Sequence, residues 1–492
     1  MLHYHIQQLV EYGIRCGMIP ESEEIYSRNL LLDMYNEDSF APSDVTAAPL
    51  EGILASLLQC AIERGLIQDS IIERDMWDTQ LMNCITPRPS EVERKFHELG
   101  ANGTDYFFKL SCDSNYIRTA RVAKDKKWTA DGEYGKMEIT INLSKPEKLP
   151  ADVAREAAAP KSGYPACMIC RENVGYAGRV NHPTRSTLRT VPIMLGDETW
   201  ELQYSPFQYY NEHCILLSRE HRPMQINEGA FQRLLNFVEA YPHYFLGSNA
   251  ELPGAGGSIL SHDHYQGGRY ELPMVHAEGE ALPNFAGQSE VTAKLLKWPV
   301  TVIRLTSESK DLLVKLATHV LNMWREYSDL SVGIFAHTGD TPHNTISPIA
   351  RKVGDKFELD LTLRSTVTTP EHPGGVFNPH AVRHHIKQES VGLIEVMGLA
   401  VLPPRLEREM AAIAKFLSTG SLSPTDVPAE ISIHADWIAR LRGKYSAFSA
   451  ENVDKILCNE IGTVFQQVLS DLGVFKQNRE GREAFDRFVS TL

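Results

Sequence analysis

The sequence has few cysteines and no long hydrophobic run. Eight cysteines in 492 residues are too few for the disulfide framework of a secreted protein. The longest apolar candidate, residues 391–402, contains Glu395 and is shorter than the roughly 20 residues that cross a bilayer. The first residues have neither the basic nor the apolar region of a signal peptide. We therefore expect a cytoplasmic protein without disulfide bonds or membrane spans.

Basic residues are also in deficit. The 49 lysines and arginines are outnumbered by 63 acidic residues, which gives a formal net charge of −14. This balance argues against a nucleic-acid binder, whose footprint is a basic face. The net charge does not exclude an anionic small-molecule ligand, because binding of such a ligand depends on the local charge around its site.

The ends of the chain have helical patterning, and its centre has strand patterning. Ile6, Leu9, Val10 and Ile14 recur at helical spacing near the N-terminus. The chain from Pro404 onward is again patterned as helices. Between these parts we predict a connecting segment over residues 144–165, a helix over 310–324, an antiparallel meander over 190–225, and strands over 106–110, 136–143, 300–305, 332–336 and 357–363.

The order of strand, helix and paired strands occurs twice, which indicates two related α+β units. The predicted class is therefore α+β, with antiparallel sheets and helical segments at both ends. The predicted divisions are a helical segment over residues 1–100, a first unit over 101–285, a second unit over 286–403 and a helical segment over 404–492.

The chemistry is concentrated in the centre of the chain. Fourteen of the 18 histidines lie between His182 and His385. A glycine-rich stretch begins at Gly254 and leads into His262, and its exposed N–H groups would suit phosphate oxygens. If residues 260–266 form a strand, then His262, His264 and Gln266 share one face.

Two chemistries could use this face. His262 and His264 could both bind one metal ion, as in a metallohydrolase. Alternatively, His262 could join Cys167, Cys170 and His221 in a tetrahedral zinc site, with His213 as a rival ligand to His221. His264 would then be free for covalent catalysis, and Gln266 could hydrogen-bond a phosphoryl oxygen.

Several separated motifs resemble one enzyme family. They are Cys167-Met-Ile-Cys170-Arg-Glu-Asn173, the strand before His221 and His262-Asp-His264-Tyr-Gln266. Together they are similar to the galactose-1-phosphate uridylyltransferase family. The chain length, the Gly256-Gly-Ser loop and the stretch Asn378-Pro-His-Ala-Val-Arg-His-His-Ile-Lys-Gln-Glu-Ser are closest to the second sequence class of that family, a branch of the histidine-triad superfamily. The resemblance extends over residues 160–403. It implies two histidine-triad-like antiparallel units.

The resemblance also implies a reaction. His264 would take UMP from UDP-glucose as a uridylyl-histidine and release glucose 1-phosphate, and galactose 1-phosphate would then accept UMP to give UDP-galactose. This is a step of galactose metabolism, carried out by a nucleotidyltransferase without an organic cofactor. A structural zinc ion and a homodimer are further expectations.

The resemblance assigns roles to individual residues of this chain. His264 and Gln266 would be catalytic. The zinc ligands would be Cys167, Cys170, His221 and His262. Nucleotide contacts would come from Asn249, Gly257, Ser258 and Phe207, and sugar-phosphate contacts from Lys387 and Glu395.

This chain departs from the better-known sequence class at two places. Asp263 stands where that class has proline between its histidines. That class also has a second metal site with paired histidines in a late strand, and the matching residues 357–364 contain no histidine. Other functions also remain open, namely a metallohydrolase, a zinc-stabilised nucleotide-binding protein and a nucleotide-sugar phosphorylase.

Overall fold

The structure is a computed structural model that describes residues 1–144, 155, 158–160, 162–283, 285–287, 289–419 and 427–492. Most of the predicted connecting segment over 144–165 therefore lies outside the described residues. The described chain forms two compact units. The first contains Met1–Lys124, Ser144–Gln208 and Glu212–Arg222, and the second contains Asp125–Leu143, Tyr209–Asn211 and Pro223–Leu492. The predicted divisions after residues 100, 285 and 403 stay predictions.

The helices and strands follow one another in an α+β order. The helices are α1 (Leu2–Arg15), α2 (Glu24–Met34), α3 (Leu50–Glu63), α4 (Ile71–Asn83), α5 (Pro89–Glu98), α6 (Gly103–Asp113), α7 (Thr119–Val122), α8 (Glu228–Ala240), α9 (Lys310–Arg325), α10 (Leu393–Val396), α11 (Arg405–Ser418), α12 (Ala435–Lys444), α13 (Val453–Leu472) and α14 (Arg479–Val489). The strands are β1 (Lys126–Gly132), β2 (Gly135–Ile141), β3 (Val191–Leu195), β4 (Glu198–Tyr204), β5 (Cys214–Ser218), β6 (Phe245–Gly247), β7 (His264–Gly268), β8 (Gly279–Ala281), β9 (Thr292–Leu296), β10 (Val302–Ser307), β11 (His337–Thr338), β12 (Thr341–Pro342), β13 (Asn344–Val353), β14 (Lys356–Ser365) and β15 (Leu399–Leu402).

The first unit combines helices α1 to α7 with the predicted meander. Ile6, Leu9 and Val10 are fully buried on one face of α1, as their spacing predicts. Strands β3, β4 and β5 pair antiparallel in that order. The turn between β3 and β4 uses Gly196 at a φ of 65°, a conformation that suits glycine. The N-terminal helices and the meander are thus confirmed.

The predicted strand over residues 106–110 is wrong, because this segment lies inside α6. Phe107 and Leu110 are buried together on one helical face. The Phe107 ring meets the Phe96 ring of α5 edge-on, with 6.1 Å between centroids. Aromatic residues favour strands on average. Here packing against a neighbouring helix outweighs that preference.

Besides the two-stranded ribbon of β11 and β12, the described part of the second unit contains two sheets. One is antiparallel in the order β7-β6-β13-β14-β10-β9-β8, and α8 and α9 pack against its strand β13. The other consists of β1, β2 and β15, with β15 parallel to β2. The predicted strands over 136–143, 300–305 and 357–363 and the helix over 310–324 correspond to β2, β10, β14 and α9.

The predicted strand over residues 332–336 is wrong. Gly333, at a φ of 70°, instead ends a short 3-10 turn. The strand that precedes β14 in the chain and pairs with it is β13, in which Ser347 faces Thr362 and Ile346 faces Leu363. Pro348 within β13 lacks a backbone donor, and both faces of the strand are buried, so its sequence does not alternate as an exposed strand would.

The C-terminal helices are confirmed as α11 to α14. Trp298 and Phe465 lie in one apolar cluster with residues of β2, β15 and helices α11 to α13. The apolar residues 391–402 form α10 and β15 within this cluster. In the described part of the chain, no helix has the length and apolar content that a bilayer span requires. The predicted α+β class, with antiparallel sheets and helical ends, is confirmed.

Candidate active site

The C-x-x-C motif of the first unit forms a tight loop around one asparagine. Asn173 is fully buried, and its Nδ2 donates to the carbonyl oxygens of Cys167 and Cys170 at 2.8 and 2.9 Å. Its Oδ1 lies 2.7 Å from Nε2 of His182. The Asn173 side chain therefore fixes the backbone on both sides of the motif, which directs the two thiols.

The two thiols and His221 form a cluster of potential metal ligands. The sulfur atoms of Cys167 and Cys170 lie 3.2 Å apart, which is far longer than a disulfide bond of about 2.05 Å. The Cys170 sulfur lies 3.0 Å from Nδ1 of His221. The rival ligand His213 instead places Nδ1 2.7 Å from the carbonyl oxygen of Phe207. Three of the four predicted zinc ligands are thus brought together within this unit.

The chemistry of this cluster is compatible with zinc. Burial and the neighbouring Cys167 sulfur raise the pKa of the Cys170 thiol to about 12. A divalent cation reverses this effect, because it stabilises the thiolate form that coordinates metals. Thiolate sulfur and imidazole nitrogen are the usual donors of structural zinc sites.

A buried carboxylate links the two segments that carry these ligands. Glu201 on β4 is 1% exposed and lies 2.9 Å from the guanidinium of Arg219, which precedes His221. The same carboxylate lies 3.5 Å from Arg171, which follows Cys170. Glu201 thus holds both segments in place, a role of the kind that orients metal ligands. The sequence gives one signal for it, an acidic residue on the inner face of a strand.

Phe207 lies in the loop after β4 of the same unit. Its side chain is 38% exposed, which is unusual for a phenylalanine near buried strands. Its backbone is fixed on both sides, since the N–H donates to Ser205 and the carbonyl oxygen contacts the His213 ring. An exposed aromatic ring on a fixed backbone can stack on a planar base.

In the second unit, β7 begins at His264, so His262 precedes the strand. The predicted strand over residues 260–266 is therefore only partly correct. Ile259 adopts a φ of 57°, and the N–H of His262 bonds back to its carbonyl oxygen, so the chain turns there. His264 and Gln266 share a face of β7, as predicted, and Gln266 is paired with Gly247. His262 is placed by the turn.

The ring of His264 is held as one neutral tautomer. Its Nδ1 lies 2.8 Å from the carbonyl oxygen of His262. A carbonyl only accepts hydrogen bonds, so Nδ1 carries the proton and Nε2 carries the lone pair. His264 is 3% exposed, and burial lowers its pKa to about 4. Among the described residues, His264 belongs to no candidate group of metal ligands, which speaks against the metallohydrolase.

The glycine loop before this strand approaches another backbone segment closely. A Cβ on Gly256 would lie 1.9 Å from the carbonyl oxygen of Val391, and Gly256 has a φ of 84°. A Cβ on Gly257 would lie 2.6 Å from the carbonyl oxygen of Ala250. These glycines are therefore required by packing within the protein. Ser258, next in the loop, is exposed.

Three other predicted residues meet around the segment that follows Val391. The Oδ1 of Asn249 accepts a hydrogen bond of 2.8 Å from the N–H of Leu393. Lys387 and Glu395 are both buried and form an ion pair of 2.9 Å. Burial lowers the pKa of Lys387, but the Glu395 carboxylate outweighs this effect and leaves it above the usual value.

Sequence comparisons agree with this arrangement of motifs. Residues 17–223 match the galactose-1-phosphate uridyl transferase N-terminal domain, and residues 237–437 match its C-terminal domain. A galactose-1-phosphate uridylyltransferase of Clostridium acetobutylicum is 47% identical, with 100% of both chains covered. The enzymes of that name from Caldanaerobacter subterraneus and Bacillus subtilis are each 45% identical, covering 99% of this chain and 97% of theirs. Because the family's two domains match in order and these relatives align over their whole length, this chain belongs to the galactose-1-phosphate uridylyltransferase family.

Proposed function

We propose that this chain transfers UMP from UDP-glucose to galactose 1-phosphate through a uridylyl group on His264. The products are UDP-galactose and glucose 1-phosphate. The observation that carries the proposal is the full-length similarity to relatives of that name. The tautomer of His264 supports it, because Nε2 of the neutral ring is a nucleophile at neutral pH.

Each half of the reaction exchanges one bond at phosphorus. In the first half, Nε2 of His264 forms a bond to the α-phosphorus of UDP-glucose. The bond from that phosphorus to the bridging oxygen breaks, and glucose 1-phosphate leaves. In the second half, a phosphate oxygen of galactose 1-phosphate attacks the same phosphorus, and the P–N bond breaks. Nδ1 keeps its proton throughout, and the ring returns to its neutral form.

The remaining residues bind and orient the substrates in this proposal. Gln266, on the same strand face as His264, donates from its amide to an oxygen of the transferred phosphoryl group. Phe207 stacks on uracil, and Asn249, Gly257 and Ser258 contact the nucleotide. The exposure of Phe207 and Ser258 supports these roles.

Lys387 and Glu395 contact the sugar phosphate in this proposal. Lys387 supplies the positive charge that a phosphate group requires. Glu395 orients the lysine and accepts from the sugar hydroxyls. The buried ion pair between the two residues supports a fixed geometry at this subsite.

We also propose that Cys167, Cys170, His221 and His262 hold one zinc ion. Two thiolates and two imidazoles are a donor set typical of structural zinc, which takes four protein ligands and has no open position. Bound zinc would stabilise the loops that carry its ligands. Cys167→Ser should lose stoichiometric zinc in elemental analysis, whereas Cys458→Ser, at a thiol outside this set, should keep it. The homodimer and the cytoplasmic location stay predictions.

Labelled UDP-glucose tests the central proposal. The protein is incubated with UDP-glucose that carries ³²P in the α-phosphate, without an acceptor. We expect acid-labile label on the wild-type protein and none on His264→Gly. His276→Gly, at an exposed histidine, is the matched control and should keep the label. Absence of label from wild-type protein that converts galactose 1-phosphate would contradict the covalent mechanism.

A further inference from the structure

Arg364 on β14 is a buried cation, and no carboxylate among the described residues forms an ion pair with it. Its side chain is 2% exposed, and burial lowers its pKa to about 10, so it is charged at neutral pH. Nη2 donates a hydrogen bond of 3.1 Å to the carbonyl oxygen of Val391. Among the described residues, Nη1 has no hydrogen-bond partner. The hydrogen bond to the carbonyl oxygen of Val391 therefore fixes the orientation of the Arg364 guanidinium.

The carbonyl that Arg364 holds also faces the glycine loop. The space between Gly256 and this carbonyl oxygen is too small for a Cβ. Two residues further on, the N–H of Leu393 bonds to Asn249. The backbone from Val391 to Leu393 is thus held by Arg364, Asn249 and the glycine loop. In the described part of the chain, the guanidinium of Arg364 makes this one hydrogen bond, and burying a charged group with so few partners lowers the stability of the fold.

The same segment continues into the proposed sugar-phosphate subsite. Glu395 accepts from the N–H of Gly392 at 3.4 Å and from that of Val401 at 3.3 Å, so its carboxylate is tied to this backbone. Lys387 lies 2.9 Å from the carboxylate. The negative charge of Glu395 also stabilises the charged form of Arg364. A displacement of Val391 would therefore move both Glu395 and its partner Lys387.

We infer that Arg364 is a positioning residue for the hexose 1-phosphate subsite. It holds the carbonyl of Val391 and thereby sets the position of Glu395 and Lys387 relative to the glycine loop. This inference rests on the proposed function for the nature of the ligand. The sequence gives little sign of this role, because Arg364 stands near the end of β14 and pairs with Thr345 in the same register as its neighbours.

Arg364→Lys tests the inference, with Arg351→Lys as the matched control. Arg351 is a second buried arginine of the same sheet, and its ion pairs go to Asp360 and Glu358. The Kd for galactose 1-phosphate is measured by calorimetry, together with KM and kcat for transfer. For Arg364→Lys we expect Kd and KM to rise about tenfold, because a charged hydrogen bond is lost. The hydrolysis of the uridylyl-enzyme by water should change less than transfer does, because water does not require the hexose 1-phosphate subsite.

The Arg351→Lys control distinguishes a positioning role of Arg364 from a general loss of stability on replacing a buried arginine. Arg351→Lys should lower the midpoint of thermal unfolding and leave the Kd within about twofold. Equal Kd values for Arg364→Lys and the wild type would overturn the inference, as would an equal rise in Arg351→Lys. If Arg364→Lys does not fold, Arg364→Gln, which keeps one N–H donor, is measured in the same way.

The binding measurement and the transfer measurement test different proposals, so a negative result in one can be told from a negative result in the other. Wild-type protein that binds galactose 1-phosphate but forms no uridylyl-enzyme would contradict the proposed function, and the Kd of Arg364→Lys would still report on positioning. Wild-type protein that does not bind galactose 1-phosphate would overturn the inference itself.

Discussion

The Nδ1 atom of His264 lies 2.8 Å from the backbone carbonyl oxygen of His262. The contact uses the backbone of His262, so its ring is not required for orienting His264. The two histidines that share one short motif therefore contribute different groups to this contact, a backbone carbonyl from His262 and a ring from His264. His262 supplies a carbonyl that selects the tautomer of His264, and that tautomer leaves the lone pair on Nε2, the atom to which the proposed mechanism assigns the nucleophilic attack.

The tautomer can be observed directly. We expect the two-bond ¹H–¹⁵N spectrum of ¹⁵N-histidine-labelled protein at pH 7.5 to show a ring protonated at Nδ1 for His264. The signal is assigned by its loss in His264→Asn. A ring protonated at Nε2 would show that the carbonyl of His262 does not hold the proton, and the assignment of the nucleophilic nitrogen would be wrong.

Glu201→Gln should weaken metal binding without removing a ligand. The carboxylate of Glu201 balances Arg219 and Arg171, which flank the segments of His221 and Cys170. An amide cannot balance two guanidinium charges. We expect the affinity for zinc, measured against a chromophoric chelator, to fall about tenfold or more, as for other residues that orient ligands.

The matched control for this change is Glu198→Gln on the same strand. Glu198 pairs with Arg222 at 2.6 Å, and its side chain is 43% exposed. Exposed ion pairs contribute little to stability. We expect this variant to bind zinc as the wild type does, and equal losses in both variants would contradict the role of Glu201.

Gly256→Ala and Gly254→Ala separate backbone strain from steric conflict. Both glycines have a positive φ, of 84° and 86°. An added Cβ on Gly254 meets nothing within 4 Å, whereas one on Gly256 meets the carbonyl oxygen of Val391. We expect Gly254→Ala to lower the free energy of unfolding by about 1–2 kcal/mol through strain alone.

Gly256→Ala should lower the free energy of unfolding further and raise the KM for UDP-glucose. The reason is that the loop or the Val391 segment must move to make room for the methyl group. Denaturant unfolding and steady-state kinetics measure the two effects. Equal results for the two alanine variants would show that the contact between Gly256 and Val391 is unimportant.

A buried histidine pair in the second unit makes stability depend on pH. Nδ1 of His385 lies 3.0 Å from Nδ1 of His434, and the two rings pack edge to face. Burial, the His434 ring and the nearby Arg440, Arg405 and Arg383 lower the pKa of His385 to about 3. Burial also lowers the pKa of His434, and the Glu409 carboxylate opposes this.

The lowered pKa of His385 determines whether the free energy of unfolding rises or falls with pH. In the unfolded chain His385 binds a proton below about pH 6.5, whereas the folded protein excludes that proton until about pH 3. The unfolded state therefore binds more protons in this range, and the free energy of unfolding falls as the pH falls below about 6.5. One such group contributes a slope of about 1.4 kcal/mol per pH unit.

His385→Asn should remove this slope. The variant should be less stable than the wild type at pH 8, because the ring also packs on Trp437. The difference should narrow as the pH falls from about 6 to 4. Urea unfolding at several pH values measures it, and parallel curves for the two proteins would contradict a neutral buried His385.

The sequence by itself determined the chemistry and the class of this protein. Residue type and order are enough to identify the paired cysteines, His264 and the C-terminal helices, because motif spacing and helical period are local properties. Family membership follows from the same local information. The patterns were misleading where tertiary contacts outweigh local preference, as at residues 106–110, where aromatic residues pack as a helix.

Only the tertiary structure decided how these groups are held. The glycines at 256 and 257 look like a phosphate loop in sequence, but the structure shows that a Cβ at these positions would collide with the carbonyl oxygens of Val391 and Ala250. Glu201 and Arg364 carry no motif, since their roles depend on residues far away in the chain. A hydrogen bond or a buried charge is set by where the backbone places its partner, and a sequence pattern contains no such distance.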